Sequence, residues 1–367
     1  MFQQRLQKLY AALQEASLDA IVLNPSPTQR YLTGLSFHLM ERPTVLILAP
    51  GHQPIFILAN LETSRLAQAA FPIHAVSYGD NPATWPEAFA RAAALMGKSI
   101  RKIGVEPNWL RFLELKYLES AFPQAQWVNA EGVVSALRMQ KDEQEIALMR
   151  RAVEIAQKAL IATLPIIHPG ITENQIAAEL VNQILRHGAD THLPFAPIVA
   201  AGPNSANPHA TPTNRPIQQG DLLIVDWGAT CEGYFSDLTR TFAIGRVDDE
   251  LSEIARIVQQ ANQAGREAGR PGIAAGQVDR QTRKIIADAG YGAYFTHRTG
   301  HGLGLEDHEP PYIFTENDLL LAAGMTYTIE PGIYLPGRGG IRIEDDVVVT
   351  ADGCESLSDL PRELMQL

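Results

Sequence analysis

Residues 221–243 read DLLIVDWGATCEGYFSDLTRTFA. An apolar run leads into Ala229-Thr230-Cys231-Glu232-Gly233 and a second β-rich run follows, which is the pattern of an antiparallel hairpin. A turn centred between Cys231 and Glu232 sets Asp226 opposite Asp237. Directly opposed side chains lie roughly 4.5–5.5 Å apart, and like charges there are destabilising. A chain keeps two facing carboxylates most readily with a proton or a metal cation between them. The hairpin therefore predicts a cation site.

A second segment repeats the logic. Residues 325–350 read MTYTIEPGIYLPGRGGIRIEDDVVVT, two β-rich runs around Pro336-Gly337-Arg338-Gly339-Gly340. A turn centred on Gly337 sets Glu330 opposite Glu344. A β-bulge in either hairpin would shift these pairings. Four carboxylates need a histidine or waters to complete a dinuclear site. The best-placed candidate is His301, between glycines that let backbone and ligand approach closely. His308 follows seven residues later and shares the cleft without having to be a ligand. An oxygen-rich set with one imidazole suits manganese, cobalt, iron or zinc better than calcium.

The rest of the chain reads as two domains. Leu6, Leu9 and Leu13 mark a core-facing helical stripe. Strands are expected at Ala20–Leu23, Thr44–Leu48, Pro54–Leu58 and Ile103–Glu106, with a helix at Trp85–Met96. This α/β pattern ends near Trp127–Val128 and holds no cluster of ligand-type residues, so a shaping or oligomerisation role is expected of it. A boundary near Asn129–Lys141 gives domains 1–132 and 133–367. Beyond it, helical spacing runs from Lys141 to Leu160, and Thr172-Glu173-Asn174-Gln175 carries a capping box that starts a helix ending near Gly188. Two further helices are expected at Glu250–Ala268 and Gln277–Ala289.

Composition narrows the class. At 46% hydrophobic and 19% charged residues, the 367-residue chain is neither disordered nor fibrous. A formal charge of −11 argues against a nucleic-acid footprint, and no run approaches the roughly 20 apolar residues of a membrane span. Cys231 and Cys354 show no metal or disulfide spacing and fit a reducing compartment. The N-terminal stretch lacks the apolar core of a signal peptide, so a cytoplasmic location is expected.

Five elements together resemble the pita-bread metallopeptidases. They are Asp226-x-Gly-Ala, Gly233-Tyr-x-Ser-Asp237-x-Thr-Arg-Thr, Gly300-His301-Gly-x-Gly-x-x-x-His308-Glu-x-Pro, Thr328-Ile-Glu330-Pro-Gly and Arg342-Ile-Glu344-Asp. The order matches the proline-specific branch, Xaa-Pro dipeptidases (prolidases) and Xaa-Pro aminopeptidases, over most of Met139–Leu367. Departures are small, such as Trp227 in place of a smaller aromatic.

The resemblance implies an α+β catalytic domain with pseudo-two-fold symmetry behind a smaller α/β creatinase-like N-terminal domain. It also implies two divalent ions per chain, manganese foremost, with cobalt, zinc or iron as alternatives. Asp226 would bind one ion, Asp237 and Glu344 would bridge both, and His301 and Glu330 would complete the second. In this family a hydroxide bridging the ions attacks the scissile carbonyl. Glu330 would shuttle its proton, while His308 and His209 would meet the substrate and the developing charge. Arg342 would steady the carboxylates. The expected partner is a peptide with proline in second position, and the expected assembly is a homodimer.

Two enzymatic rivals are weaker. A methionine-aminopeptidase-like enzyme would not need the long N-terminal domain, and creatinase does not need the metal site. A non-catalytic pita-bread scaffold would have lost ligands. His187, His192 and His297 read as capping, packing or rim residues, and Cys231 as incidental.

Overall fold

The structure, a computed structural model, describes residues 2–367. It divides into two compact units, one ending at Arg138 and the other spanning Met139–Leu367.

The first unit is a six-stranded mixed sheet flanked by helices. Its strands are β1 (Ala20–Leu23), β2 (Val45–Leu48), β3 (Ile55–Ala59), β4 (His74–Tyr78), β5 (Lys102–Val105) and β6 (Gln126–Asn129), in the order β4-β3-β2-β1-β5-β6. The helices are α1 (Phe2–Glu15), α2 (Pro27–Thr33), α3 (Trp85–Met96), α4 (Phe112–Ala121) and α5 (Glu131–Met139). Leu9 and Leu13 of the α1 stripe are fully buried, and Leu6 partly. Strand β4 escaped the sequence reading because it is a half-exposed edge strand, HAVSY, with no apolar run to mark it.

The second unit repeats one plan twice. Helices α6 (Glu143–Thr163) and α7 (Glu173–Arg186) pack together, as do α8 (Asp249–Ala268) and α9 (Ala275–Asp288). Local signals set their starts. Asp142 with Glu145, and Thr172 with Gln175, form complete capping boxes that satisfy N–H groups left open at the helix ends.

The strands after each helix pair carry the carboxylates. Strands β7 (Ile198–Ala201), β8 (Leu222–Trp227), β9 (Thr230–Cys231), β10 (Tyr234–Phe235) and β11 (Leu238–Ala243) belong to the first half. The second holds β12 (Gly300–Gly302), β13 (Glu309–Ile313), β14 (Thr326–Ile329), β15 (Gly332–Leu335), β16 (Gly339–Arg342), β17 (Asp345–Val349) and β18 (Cys354–Ser356). A terminal strand, β19 (Met365–Gln366), pairs in parallel with β11.

The two halves meet where Thr239 bridges Glu344, and where the Thr241 hydroxyl donates to the Arg342 carbonyl at 2.8 Å. Beside this seam, Asp345 accepts from Arg240 at 2.8 Å and Arg362 at 2.7 Å, which ties the C-terminal tail to β17. Trp227 is fully buried and uses its indole N–H, donating to the Ala156 carbonyl of α6 at 2.8 Å.

Candidate metal centre

The first hairpin turns one residue later than the sequence suggests. Glu232 and Gly233 both have positive φ, 47° and 82°, as a two-residue hairpin turn with right-handed strand twist requires. Tyr234 therefore pairs with Cys231, and Asp226 lies opposite Thr239 instead of Asp237. This corrects the expected pairing by two residues. Because side chains alternate with period two, the shift keeps both carboxylates on one face, as diagonal neighbours. The second hairpin keeps its expected register. Gly332 pairs with Arg342 and Ile329 with Asp345, and Glu330 and Glu344 occupy the break between these two ladders.

These carboxylates converge on His301. Asp237, His301 and Glu344 each offer an atom within 4.8 Å of the others. His301 Nε2 lies 3.5 Å from Glu330 Oε1 and 3.6 Å from Asp237 Oδ2. Its Nδ1 sits 3.1 Å from the Gly302 carbonyl, which calls for an N–H there and leaves the Nε2 lone pair facing the carboxylates. Burial and the nearby His308 hold its pKa well below the ordinary histidine range, so the ring is neutral and able to bind a cation. Gly300 leaves no room for a side chain, since a Cβ there would lie 1.8 Å from the Thr328 carbonyl oxygen.

The acids themselves are unsatisfied. Asp226 Oδ1 and Asp237 Oδ1 are shielded from solvent and have no hydrogen-bond partner. Burial raises the carboxyls of Asp226 and Asp237, and neighbouring acids add to it for Asp237. Burial also raises Glu344 well above its usual range and pushes Glu330 up to about 8. Three buried carboxylates and the largely shielded Glu330, gathered round a neutral imidazole, make a donor set that fits divalent first-row metals.

One arginine serves the group directly. Arg342 donates from Nη2 to Asp226 Oδ2 at 2.5 Å, from Nε to the Thr239 hydroxyl at 3.1 Å and from Nη1 to the Tyr334 hydroxyl at 2.9 Å. Thr239 in turn donates to Glu344 Oε2 at 2.6 Å. Thr239 thus links one acid's arginine to another acid, a role invisible before the register is known.

A cleft of about 470 Å³ opens onto this group. Asp226, Asp237, His301, Glu330, Arg342 and Glu344 line it together with His209 and His308. Phe195, Pro197, Ile198 and Pro212 add an apolar wall. His209 rides on a loop anchored by the buried Glu173, which accepts from Ala201 N, Asn204 Nδ2, Thr213 N and the Thr213 hydroxyl. The His308 ring stands 3.9 Å from that of His301.

Arg298 and Asp307, which the sequence reading left out, also line the cleft, as does His297, read as a capping, packing or rim residue. His297 is no mere packing residue. Its Nε2 meets the Tyr334 hydroxyl at 2.9 Å, and its ring lies 3.7 Å from Glu330. The spacing of four residues before His301 was the available signal.

Comparison with known proteins agrees with this geometry. Residues 147–351 match the model of metallopeptidase family M24. The chain belongs to that family. Residues 5–140 match the creatinase/prolidase N-terminal domain, so the second unit is the pita-bread domain and the first its creatinase-like companion. The chain is 34% identical to an Xaa-Pro dipeptidase of Lactobacillus delbrueckii subsp. lactis, over 99% of this chain and 98% of that one. It is similar to the crystal structure of a dipeptidase PepE from Mycobacterium ulcerans, with a TM-score of 0.91, 37% identity and coverage of 100% and 97%. A prolidase structure from Thermococcus sibiricus gives a TM-score of 0.94 at 35% identity, covering 100% and 99%. Membership implies a metal-dependent peptidase. Among the described residues, no helix is long and apolar enough to cross a membrane.

Proposed function

We propose that this M24 peptidase hydrolyses the Xaa-Pro bond of dipeptides. The observation that carries the reading is the convergence of Asp226, Asp237, His301, Glu330 and Glu344 in one cleft, with buried carboxylate oxygens that have no partner. Relatives bearing the names Xaa-Pro dipeptidase and prolidase support the bond specificity.

These five residues would hold two divalent ions, which when bound would polarise the substrate carbonyl and make water acidic enough to attack near neutral pH. Manganese is the working ion proposed, favoured by the oxygen-rich donors over cobalt, zinc or iron. Glu330 takes the proton from the attacking water and passes it to the prolyl nitrogen. That nitrogen carries no hydrogen in the peptide and must gain one to leave. His308 and His209 donate to the oxygen that gains charge. Arg342 keeps Asp226 oriented through the charge-assisted contact at 2.5 Å. Homodimeric assembly and a cytoplasmic location complete the reading; they rest on the resemblance and on cysteine usage alone.

The test compares Ala-Pro, Ala-Pro-Ala and Ala-Ala with manganese, cobalt or zinc supplied. Cleavage of Ala-Pro well above the other two supports the reading. Preference for Ala-Pro-Ala would make the enzyme an aminopeptidase, and no cleavage of either proline substrate would overturn the proposal.

A further inference from the structure

Asp307 lies between β12 and β13, directly before His308, and lines the cleft. It is outside the proposed ligand set. Its side chain is only 26% exposed, and its Oδ1 is fully shielded without a hydrogen-bond partner. Its Oδ2 meets a single charged-type group, His308 Nε2 at 3.9 Å, and no lysine or arginine lies within ion-pair distance among the described residues.

A carboxylate in that position faces like charges. Asp226 and Asp237 are its electrostatic neighbours, and Arg342 is already committed to Asp226. Two divalent ions would balance the four ligand carboxylates, and neither arginine of the cleft, Arg298 or Arg342, pairs with Asp307 among the described residues. Asp346 also acts on Asp237, but it is fully buried, does not line the cleft and accepts the Asp237 N–H at 3.0 Å. Asp307 is therefore the acid outside the ligand set that a solute in the cleft can reach. A partly buried carboxylate with one oxygen shielded and unpartnered is costly, and a cation arriving with the substrate reduces the cost. A primary ammonium suits it, being compact and offering three donors.

We infer that Asp307 is a specificity-determining residue that receives a primary ammonium on the substrate's N-terminal residue. The inference rests on the proposed exopeptidase function. The ammonium is either the free amino terminus or a basic first side chain, and the experiment separates them.

The test is Asp307→Asn, which keeps shape and removes charge, with Asp307→Glu as the conservative control. Ala-Pro carries only the terminal ammonium, Lys-Pro carries two, and propionyl-proline, used as a competitive inhibitor, carries none. A charge-assisted hydrogen bond is lost in D307N, so KM for Ala-Pro should rise about 10- to 100-fold. Turnover at saturation should stay within about threefold, since binding and not proton transfer is affected. The inhibition constant of propionyl-proline and the metal content per chain should not change, and D307E should recover part of the affinity. A rise confined to Lys-Pro assigns Asp307 to the side chain. Unchanged KM for both dipeptides, an equal loss of propionyl-proline binding, or loss of metal would overturn the inference while an active wild type leaves the proposed function standing. A wild type that cleaves no Xaa-Pro bond would overturn both.

Discussion

Replacing Thr239 with valine keeps the shape of the side chain and removes one hydroxyl. That hydroxyl donates to Glu344 Oε2 at 2.6 Å and accepts from Arg342 Nε at 3.1 Å, and all three residues are buried. The variant leaves a carboxylate oxygen and a guanidinium N–H without partners. Each hydrogen bond to a charged group contributes about 1.5–3 kcal/mol, so losing the two should cost roughly 3–6 kcal/mol in the metal-free protein. Glu344 also becomes free to rotate, and loss of such an outer contact typically weakens metal binding about 10- to 100-fold. Chemical denaturation of the metal-free protein measures the first effect, and calorimetric titration with manganese the second. Thr239→Ser should stay near wild type in both. If T239V matches wild type within about 0.5 kcal/mol and about twofold in metal affinity, Thr239 does not hold the acids and the argument fails.

Other consequences can be measured on the same protein. Asp345→Asn should cost about 3–5 kcal/mol, because it leaves two arginines facing a neutral group in a buried cluster. Despite its burial, Arg240 and Arg362 hold Asp345 well below the usual carboxylate range, so its stabilisation is present above about pH 4 and fades as pH falls further. D345N should lose that part of the acid sensitivity, as followed by thermal melts at pH 2–5. Glu330 titrates the opposite way. Burial raises its carboxyl to about 8, so the metal-free protein is favoured at low pH and loses that contribution as pH rises from about 4.5 through 8. The melting-temperature gap between manganese-loaded and metal-free protein should therefore widen from pH 5 to pH 8. A constant gap would count against the buried acid. Gly300→Ala forces a Cβ to within 1.8 Å of the Thr328 carbonyl oxygen, and should cost more than about 4 kcal/mol or prevent folding, as judged by soluble yield and circular dichroism.

Legibility in the sequence followed the range of the interaction. The Thr172 capping box and the Gly337 turn are local, and both read correctly: α7 starts after Thr172, and Leu335 pairs with Gly339. The first hairpin was ambiguous by one turn position, and the Glu232-Gly233 pair was the clue, since a two-residue turn of this type favours glycine at its second position. The face of the sheet survived that slip and the partner did not. Asp237, His301 and Glu344 come from segments far apart in the chain and still converge as the two hairpins implied. Thr239 gained its role only through pairing with Glu344, 105 residues away, for which no local pattern exists. Asp307 stayed hidden for the same reason, because only the folded segment between β12 and β13 brings it to the cleft.

The central claim is that these acids and His301 exist to hold metal. Its most direct test is elemental analysis of purified protein after manganese loading and desalting, for wild type and Asp237→Ala. The account predicts close to two manganese ions per wild-type chain and loss of bound metal in D237A, with peptidase activity falling in proportion. Wild-type protein that hydrolyses Ala-Pro at full rate with no bound divalent metal would contradict it.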